Sequence, residues 1–332
     1  MPTSVSIIIP CLNEEKRILK LLDAIFSQTY PHELMDITIA DGGSTDHTRE
    51  VISAFASNHP DLALQVIHNQ VGSIPAALNR AITSSKGEVI LRLDAHSAPF
   101  PDYVQISIED LLNGKGDNVG GVWEIQPGNN SWMARSIAVA AAHPLGVGDA
   151  SYRHAQQPAL VDTVPFGCYR RTLVEKIGLY NENLLSNEDY EFNTRIRKYG
   201  GKVWLDPAIK SIYFARSDLF SLAQQYFRYG FWKFQMLRLY PGTLRWRQAL
   251  PPVFAVTIFL GLILGIFIKV FANLLILELL VYFGIYLLVA FEQVLKRKDP
   301  TLLIGIPLAI FVMHFAWGSG FLSGIFKMNV KS

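Results

Sequence analysis

Glu88-Val89-Ile90-Leu91-Arg92-Leu93-Asp94-Ala95-His96-Ser97-Ala98-Pro99 is the stretch on which the reading of this chain turns. Gly87 and Pro99 bracket an apolar, β-branched run, the pattern of a buried strand, so Asp94 and His96 stand where that strand leaves its sheet. Open α/β sheets hold their ligands at that edge. In an extended chain residues i and i+2 share a side, which aims the carboxylate and the imidazole at one object. An oxygen and a nitrogen donor suit Mg²⁺ or Mn²⁺ with phosphate oxygens completing the shell. Taken alone, Asp-x-His is more often a solvated loop at a strand end, and only its surroundings give it weight.

Upstream, the same strand-then-helix unit recurs at about thirty-residue spacing. Ser4 to Pro10 reads as a buried strand, with Asn13-Glu14-Glu15 placed to cap a helix running to Phe26. Asp36 to Ala40 is a second strand, entering Asp41-Gly42-Gly43-Ser44-Thr45-Asp46, where Ser44 or Asp46 caps a helix from Thr48 to Ala56. Leu62 to Ile67 is a third, followed by the Gly72 turn and a helix from Ala76 to Ser84. Four such units predict an α/β fold with a mostly parallel sheet. The chain has neither Gly-x-Gly-x-x-Gly after its first strand nor a P-loop, so a nucleotide must be held by the polar residues that end the strands: Asn13 and Glu14, Asp41, the Gly72 to Asn79 turn, and Asp94. Taken singly, Asp41 and Asp46 are equally well read as turn and cap residues.

Downstream, Asp117 to Trp123 reads as a strand, Ser131 to Ala142 as an Ala-rich helix, and Val147 to Pro158 as a polar loop of the kind that forms lids. Val161 to Arg171 returns to strand character, with Gly167 small enough to admit a ligand. Glu188 and Asp189 fall in the first turn of a helix ending at Gly200-Gly201, where carboxylates are also favoured simply by the helix dipole. The helix from Leu219 to Tyr240 interleaves Tyr, Phe and Trp with Arg and Lys, a pattern suited to a bilayer headgroup layer.

Half of the 332 residues are hydrophobic, and they crowd into the last quarter. Pro251 to Ile268 is free of charge, Phe271 to Phe291 is interrupted only by Glu278, and Leu302 to Phe326 holds His314. Three membrane spans are the simplest reading, although the short connection at Lys269 to Asn273 also allows a re-entrant pair. Arg245, Arg247 and Lys296-Arg297-Lys298 flank the spans, which places the N-terminal part and the 296–298 loop in the cytoplasm and the C-terminus outside. A net charge of +2 without a block of like charges argues against nucleic-acid binding. Cys11 and Cys168 lack metal-ligand spacing and read as reduced thiols. The apolar run ending at Pro10 is a strand, not a signal peptide.

Ile7-Ile8-Ile9-Pro10-Cys11-Leu12-Asn13-Glu14, Asp41 to Asp46, Asp94-Ala95-His96, Glu188-Asp189 and Gln225-x-x-Arg228-Tyr229, in this order, resemble the successive motifs of the inverting family-two glycosyltransferases with a GT-A fold. Within that family the chain is most similar to the succinoglycan-type membrane glucosyltransferases. The resemblance implies a cytoplasmic GT-A domain over residues 1–218, an amphipathic interfacial region over 219–248 and a membrane domain over 249–332. It also implies a nucleotide-diphosphate sugar as donor, bound by Pro10, Asn13, Glu14, Asp41, Gly72, Asn79 and Asp94, and a divalent cation (Mg or Mn) on Asp94 and His96. Asp189 matches the catalytic base, with Glu188 beside it. Gly167, Gln225, Arg228 and Tyr229 are the expected contacts to acceptor and diphosphate, and the acceptor is a saccharide on a polyprenyl diphosphate. His in place of the commoner Asp at 96, and Tyr in place of Trp at 229, are departures from the family pattern. Two other readings stay open: a polyprenyl-phosphate sugar synthase, and a sugar-nucleotide-binding scaffold without turnover.

Overall fold

The computed structural model describes residues 3–148 and 150–327. The first strand, β1 (Val5–Cys11), is buried along its whole length because helices cover both faces of the sheet. The period changes from two to 3.6 after Pro10, and α1 (Ile18–Phe26) buries Ile18, Leu21, Leu22 and Ile25 against it. The same alternation produces β2 (Met35–Asp41), α2 (Thr48–Asn58), β3 (Ala63–His68), α3 (Ile74–Ser84) and β4 (Val89–Arg92). Each fully buried aliphatic side chain in this core contributes roughly 1.5–3 kcal/mol. The chain continues through β5 (Ser97–Pro99), α4 (Tyr103–Leu112), β6 (Asn118–Gln126), α5 (Trp132–Ala142), α6 (Pro144–Val147), β7 (Ala159–Leu160), β8 (Cys168–Arg170), α7 (Arg171–Ile177), α8 (Glu188–Lys198) and β9 (Val203–Phe214). It ends in α9 (Leu219–Leu239), α10 (Trp246–Gly265), α11 (Lys269–Arg297) and α12 (Leu302–Phe326).

Among the described residues the sheet order is β3-β2-β1-β4-β8-β6-β9-β5, with β7 also on β9. The first four strands pair in parallel, as their spacing predicts, while β8 is antiparallel to β4 and β6 is antiparallel to β8. Strand order reverses between β1 and β4, and a switch of this kind opens a crevice at the carboxyl ends of the strands. The strand expected over Val161 to Arg171 is confined to Cys168–Arg170; Asn193 on α8 reaches Thr163 Oγ1 and the Val164 carbonyl and holds the preceding segment off the sheet.

The chain divides into two compact units, 1–124 with 154–213, and 125–153 with 214–332. This differs from the expected boundary at 218, because α5 packs on α12: the Ala-rich face that reads as an ordinary core helix lies against a helix far along the chain. The expected loop from Val147 to Pro158 follows directly on α6 and carries a 3₁₀ turn at Ser151–Arg153; Asp149 lies outside the described residues. In the second unit α10, α11 and α12 are each long and apolar enough to cross a membrane. The α9 and α12 backbones touch, since a Cβ on Gly230 would overlap the Trp317 carbonyl and one on Gly320 that of Phe227. The buried Gln235 amide then donates to the carbonyls of Gly324 (3.2 Å) and Lys327 (2.7 Å).

Candidate active site

The site is assembled around a residue that the sequence reading passed over. Arg92, the last residue of β4, is 2 % exposed, and its guanidinium faces three carboxylates. Nε donates to Asp94 Oδ1 at 3.0 Å, Nη2 to Glu188 Oε1 at 3.0 Å, and Nη1 to Asp189 Oδ1. A buried charge must be paired to be tolerated, so an arginine inside Val-Ile-Leu-Arg-Leu was itself a signal that acids converge on it. The planar fork of guanidinium suits this task better than an ammonium. Its backbone N–H donates to the Gly167 carbonyl, which ties β4 to the segment ahead of β8.

Glu188 and Asp189 do sit in the first turn of α8, but they do not cap it. Asn187 precedes them in the left-handed region (φ 64°) without a side-chain cap, and both carboxylates turn to Arg92. Burial pushes the Asp189 pKa up to about 8, Arg92 opposes the rise, and the negative charges of Glu188 and Asp94 add to it. Three acids around one guanidinium leave the site short of positive charge.

Asp94 and His96 flank a turn closed by Ser97 N–H donating to the Asp94 carbonyl at 2.9 Å, so the turn, rather than strand alternation, sets their directions. His96 Nδ1 lies 3.4 Å from Glu14 Oε1. Both side chains are partly exposed, and among the described residues no group of three or more His, Cys, Asp or Glu is arranged to hold a metal. Two donors fit a hard cation only as half of a shared site, with the remaining ligands supplied by substrate oxygens.

Asn13, Glu14 and Glu15 do not cap α1, whose N-cap is Arg17 without a side-chain bond. They stitch the loop after β1 to the loop after β2. Asn13 N–H donates to Ser44 Oγ, Glu14 N–H to Thr48 Oγ1, Glu15 N–H to Asp46 Oδ2, and Thr45 N–H returns to Asn13 Oδ1. Asp46 does hold the first turn of α2, accepting from Thr48 N–H at 3.1 Å. Asp41, at the end of β2, is buried, and although burial alone would raise its pKa, hydrogen bonds from Ser44 and Arg49 hold it below the ordinary carboxylate range. Pro10 lies within β1 beside Ala40.

Gly72 has φ +71°, as its turn requires, and closes on the Asn69 carbonyl. Asn69, not singled out in the sequence, is buried with its Oδ1 unpartnered, and Ser73 Oγ nearby is likewise buried and unpartnered. The Asn79 amide is committed to Tyr180 and Glu182, a tether between α3 and the segment ahead of α8. At Gly167 a Cβ would strike the Asn118 amide, so a neighbouring side chain already requires the glycine. In the second unit, Gln225 Nε2 donates to Tyr229 Oη at 2.8 Å and Arg228 is exposed on the same helix. Cys11 and Cys168 are free, buried thiols, and burial together with the nearby acids pushes Cys11 up to about 12.

A half-parallel sheet with an acidic cluster at its switch point defines the class, a GT-A-type transferase. The pattern described as "Glycosyl transferase family 2" matches residues 6–178, and the chain belongs to that family. It is 30 % identical over 331 residues, covering 98 % of each chain, to a dolichyl N-acetyl-alpha-D-glucosaminyl phosphate 3-beta-D-2,3-diacetamido-2,3-dideoxy-beta-D-glucuronosyltransferase of Methanococcus voltae. It is 29 % identical over 324 residues to the succinoglycan biosynthesis protein ExoA of Rhizobium meliloti (strain 1021), covering 96 % of this chain and 94 % of that one. Among solved structures, the mannosyltransferase PcManGT of Pyrobaculum calidifontis, in complex with GDP-Man and Mn²⁺, shares the fold with a TM-score of 0.58 and 20 % identity over 74 % of this chain and 66 % of that one.

Proposed function

We propose that the chain is a membrane-anchored inverting hexosyltransferase that moves a sugar from a nucleotide diphosphate, of the UDP-glucose kind, to a saccharide carried on a polyprenyl diphosphate. The reaction belongs to exopolysaccharide or cell-surface glycan synthesis. The observation that carries this reading is the gathering of Asp94, Glu188 and Asp189 by buried Arg92 at the switch point. Single displacement needs a base on one face of the anomeric carbon and a stabilised leaving group on the other. Arg92 occupies Asp189 Oδ1, which leaves Oδ2 to take the acceptor hydroxyl proton, and the raised pKa makes that carboxylate a stronger base than a surface acid. Arg92 and Glu188 orient it. Asp94 and His96 would hold a divalent cation jointly with the diphosphate, and that cation supplies positive charge for the departing oxygens. Asn69, Ser73 and the stitched loops of Asn13 and Asp41 would receive the nucleoside.

The lipid-linked acceptor draws support from the dolichyl-linked sugar phosphate in the name of the Methanococcus voltae relative and from the exposed Phe220, Phe227 and Arg228 of α9. Arg245, Arg247 and Lys296 to Lys298 support a catalytic unit on the cytoplasmic face of the inner membrane of a bacterial-type cell. Purified protein in lipid, screened against nucleotide sugars, tests the reaction. A glycosidic product stable to mild acid is expected, whereas an acid-labile sugar phosphate would indicate a polyprenyl-phosphate sugar synthase and binding without turnover a scaffold. Asp189→Asn should lower kcat by at least about 10²-fold while calorimetric donor affinity stays near normal; near-normal turnover would remove Asp189 from the mechanism.

A further inference from the structure

The geometry points to a membrane unit in which only the hairpin α10–α11 enters the bilayer, while α12 lies in the membrane surface beside α9, so that both of its ends stay on one face. This inference concerns the bilayer contact and does not rest on the transfer reaction.

The hairpin is clear from its close pairs: Gly261 faces Leu275, and Gly265 faces Ala272, so α10 and α11 run antiparallel to a tip at 265–269. The contacts of α12 run from the middle of that hairpin to its open end. Phe311 meets Phe254 (6.0 Å between rings), Phe315 meets Phe259 (5.4 Å), Gly318 abuts the Pro251 carbonyl, and His314 Nδ1 lies 2.9 Å from Tyr282 Oη. Gly318, whose backbone abuts the Pro251 carbonyl, brings the second half of α12 to the base of the hairpin, where α10 begins.

The partner of α12 gives the second argument. Phe227 lies at Gly320, Gly230 at Trp317 and Phe321, Phe234 at Phe321 and Gly324, and Gln235 at Gly324 and Lys327, so α9 runs alongside the second half of α12 in the same direction. Lys327 is thereby tied to Gln235, only a few turns of chain before Trp246 begins the hairpin. The other end of α12 follows α11 after residues 298–301 and is fastened to α5 by the Arg135–Asp299 ion pair at 2.9 Å. Were α12 to cross, α9 would cross with it, carrying the exposed Arg228 and Arg238 into hydrocarbon, where each charge is costly. Lying in the surface, the same residues occupy the headgroup layer, with apolar side chains below and charges above, as amphipathic surface helices do.

The test is sidedness. Lys298→Cys and Lys327→Cys, both at exposed positions in a chain whose native thiols are buried, are treated with a membrane-impermeant maleimide in intact cells and in inside-out vesicles, with retained membrane insertion as the check on folding. The two positions should label from the same face. Labelling of Lys327→Cys from the face opposite to Lys298→Cys, or from neither face, overturns the inference in favour of a crossing α12.

Discussion

Arg92 is the residue on which the chemistry of this site balances. Its guanidinium spans three acids on two elements, and a single ammonium cannot, so Arg92→Lys should lower both turnover and donor affinity. That separates it from Asp189→Asn, which should touch turnover alone. Breaking a buried ion pair by removing one partner costs on the order of 3–5 kcal/mol, so Arg92→Met should also show a clearly lower Tm in nanodiscs; an unchanged Tm would mean that the acids have other partners. The sign of the pH dependence follows from the raised pKa of Asp189. A carboxyl harder to ionise in the fold than in the unfolded chain stabilises the protein below its unfolded pKa, and that stability is lost as pH rises through the folded value. For the donor-free protein Tm should therefore decline from the ordinary carboxylate range, about 4, up to about 8, and Asp189→Asn should flatten that slope. At this scale the sequence yielded the acids but not what gathers them. Asp94, Glu188 and Asp189 stand in recognisable patterns, whereas the role of Arg92 depends on pairing across nearly a hundred residues of chain. At Asn79 and Gly167 residue type and local context favour a ligand, while the tether to Tyr180 and the close approach of Asn118 come from parts of the chain far from either residue and are invisible locally.

The four parallel strands were legible because each is a short, largely apolar run closed by a glycine, a proline or a polar turn; β1, β2 and β4 are buried almost throughout, while β3 lies at the sheet edge and is largely exposed. The short strand β8 was overdrawn because the segment before it has β-rich composition, yet its polar neighbours on α8 hold it away from the ladder. Loop geometry was the least legible. Asn-Glu-Glu before a helix reads as a cap, and only the pairing of β1 with β2 brings Ser44, Asp46 and Thr48 near enough to compete for those residues. The α9–α12 contact belongs to this scale as well. Small residues allow these backbones to touch, and a side chain at the contact has no space to occupy. Gly320→Leu should therefore force α9 and α12 apart and lower the Tm of the protein in nanodiscs, while Gly284→Leu, where a Cβ meets nothing, should leave it unchanged. Equal Tm values for the two variants would refute the tight contact.

Across the whole molecule, hydropathy marked three apolar helices but could not say that residues 125–153, far upstream, belong with them. The face of α5 is made of Ala, Ile and Val, which serves equally well in any core, and nothing in its periodicity names the partner. The consequence is practical. A truncated chain ending at residue 218, the cut that the sequence invites, would strip α12 from α5 and uncover the α5 surface that packs on it around Trp132 and Ser136, so it should precipitate on expression. Excising 125–153 as well, and joining 124 to 154 through a flexible Gly/Ser bridge, should give a soluble protein that still binds nucleotide sugar by calorimetry. Whoever wants crystals or a donor screen free of detergent has to make two cuts, because residues 125–153 interrupt the first unit and belong with the three long apolar helices.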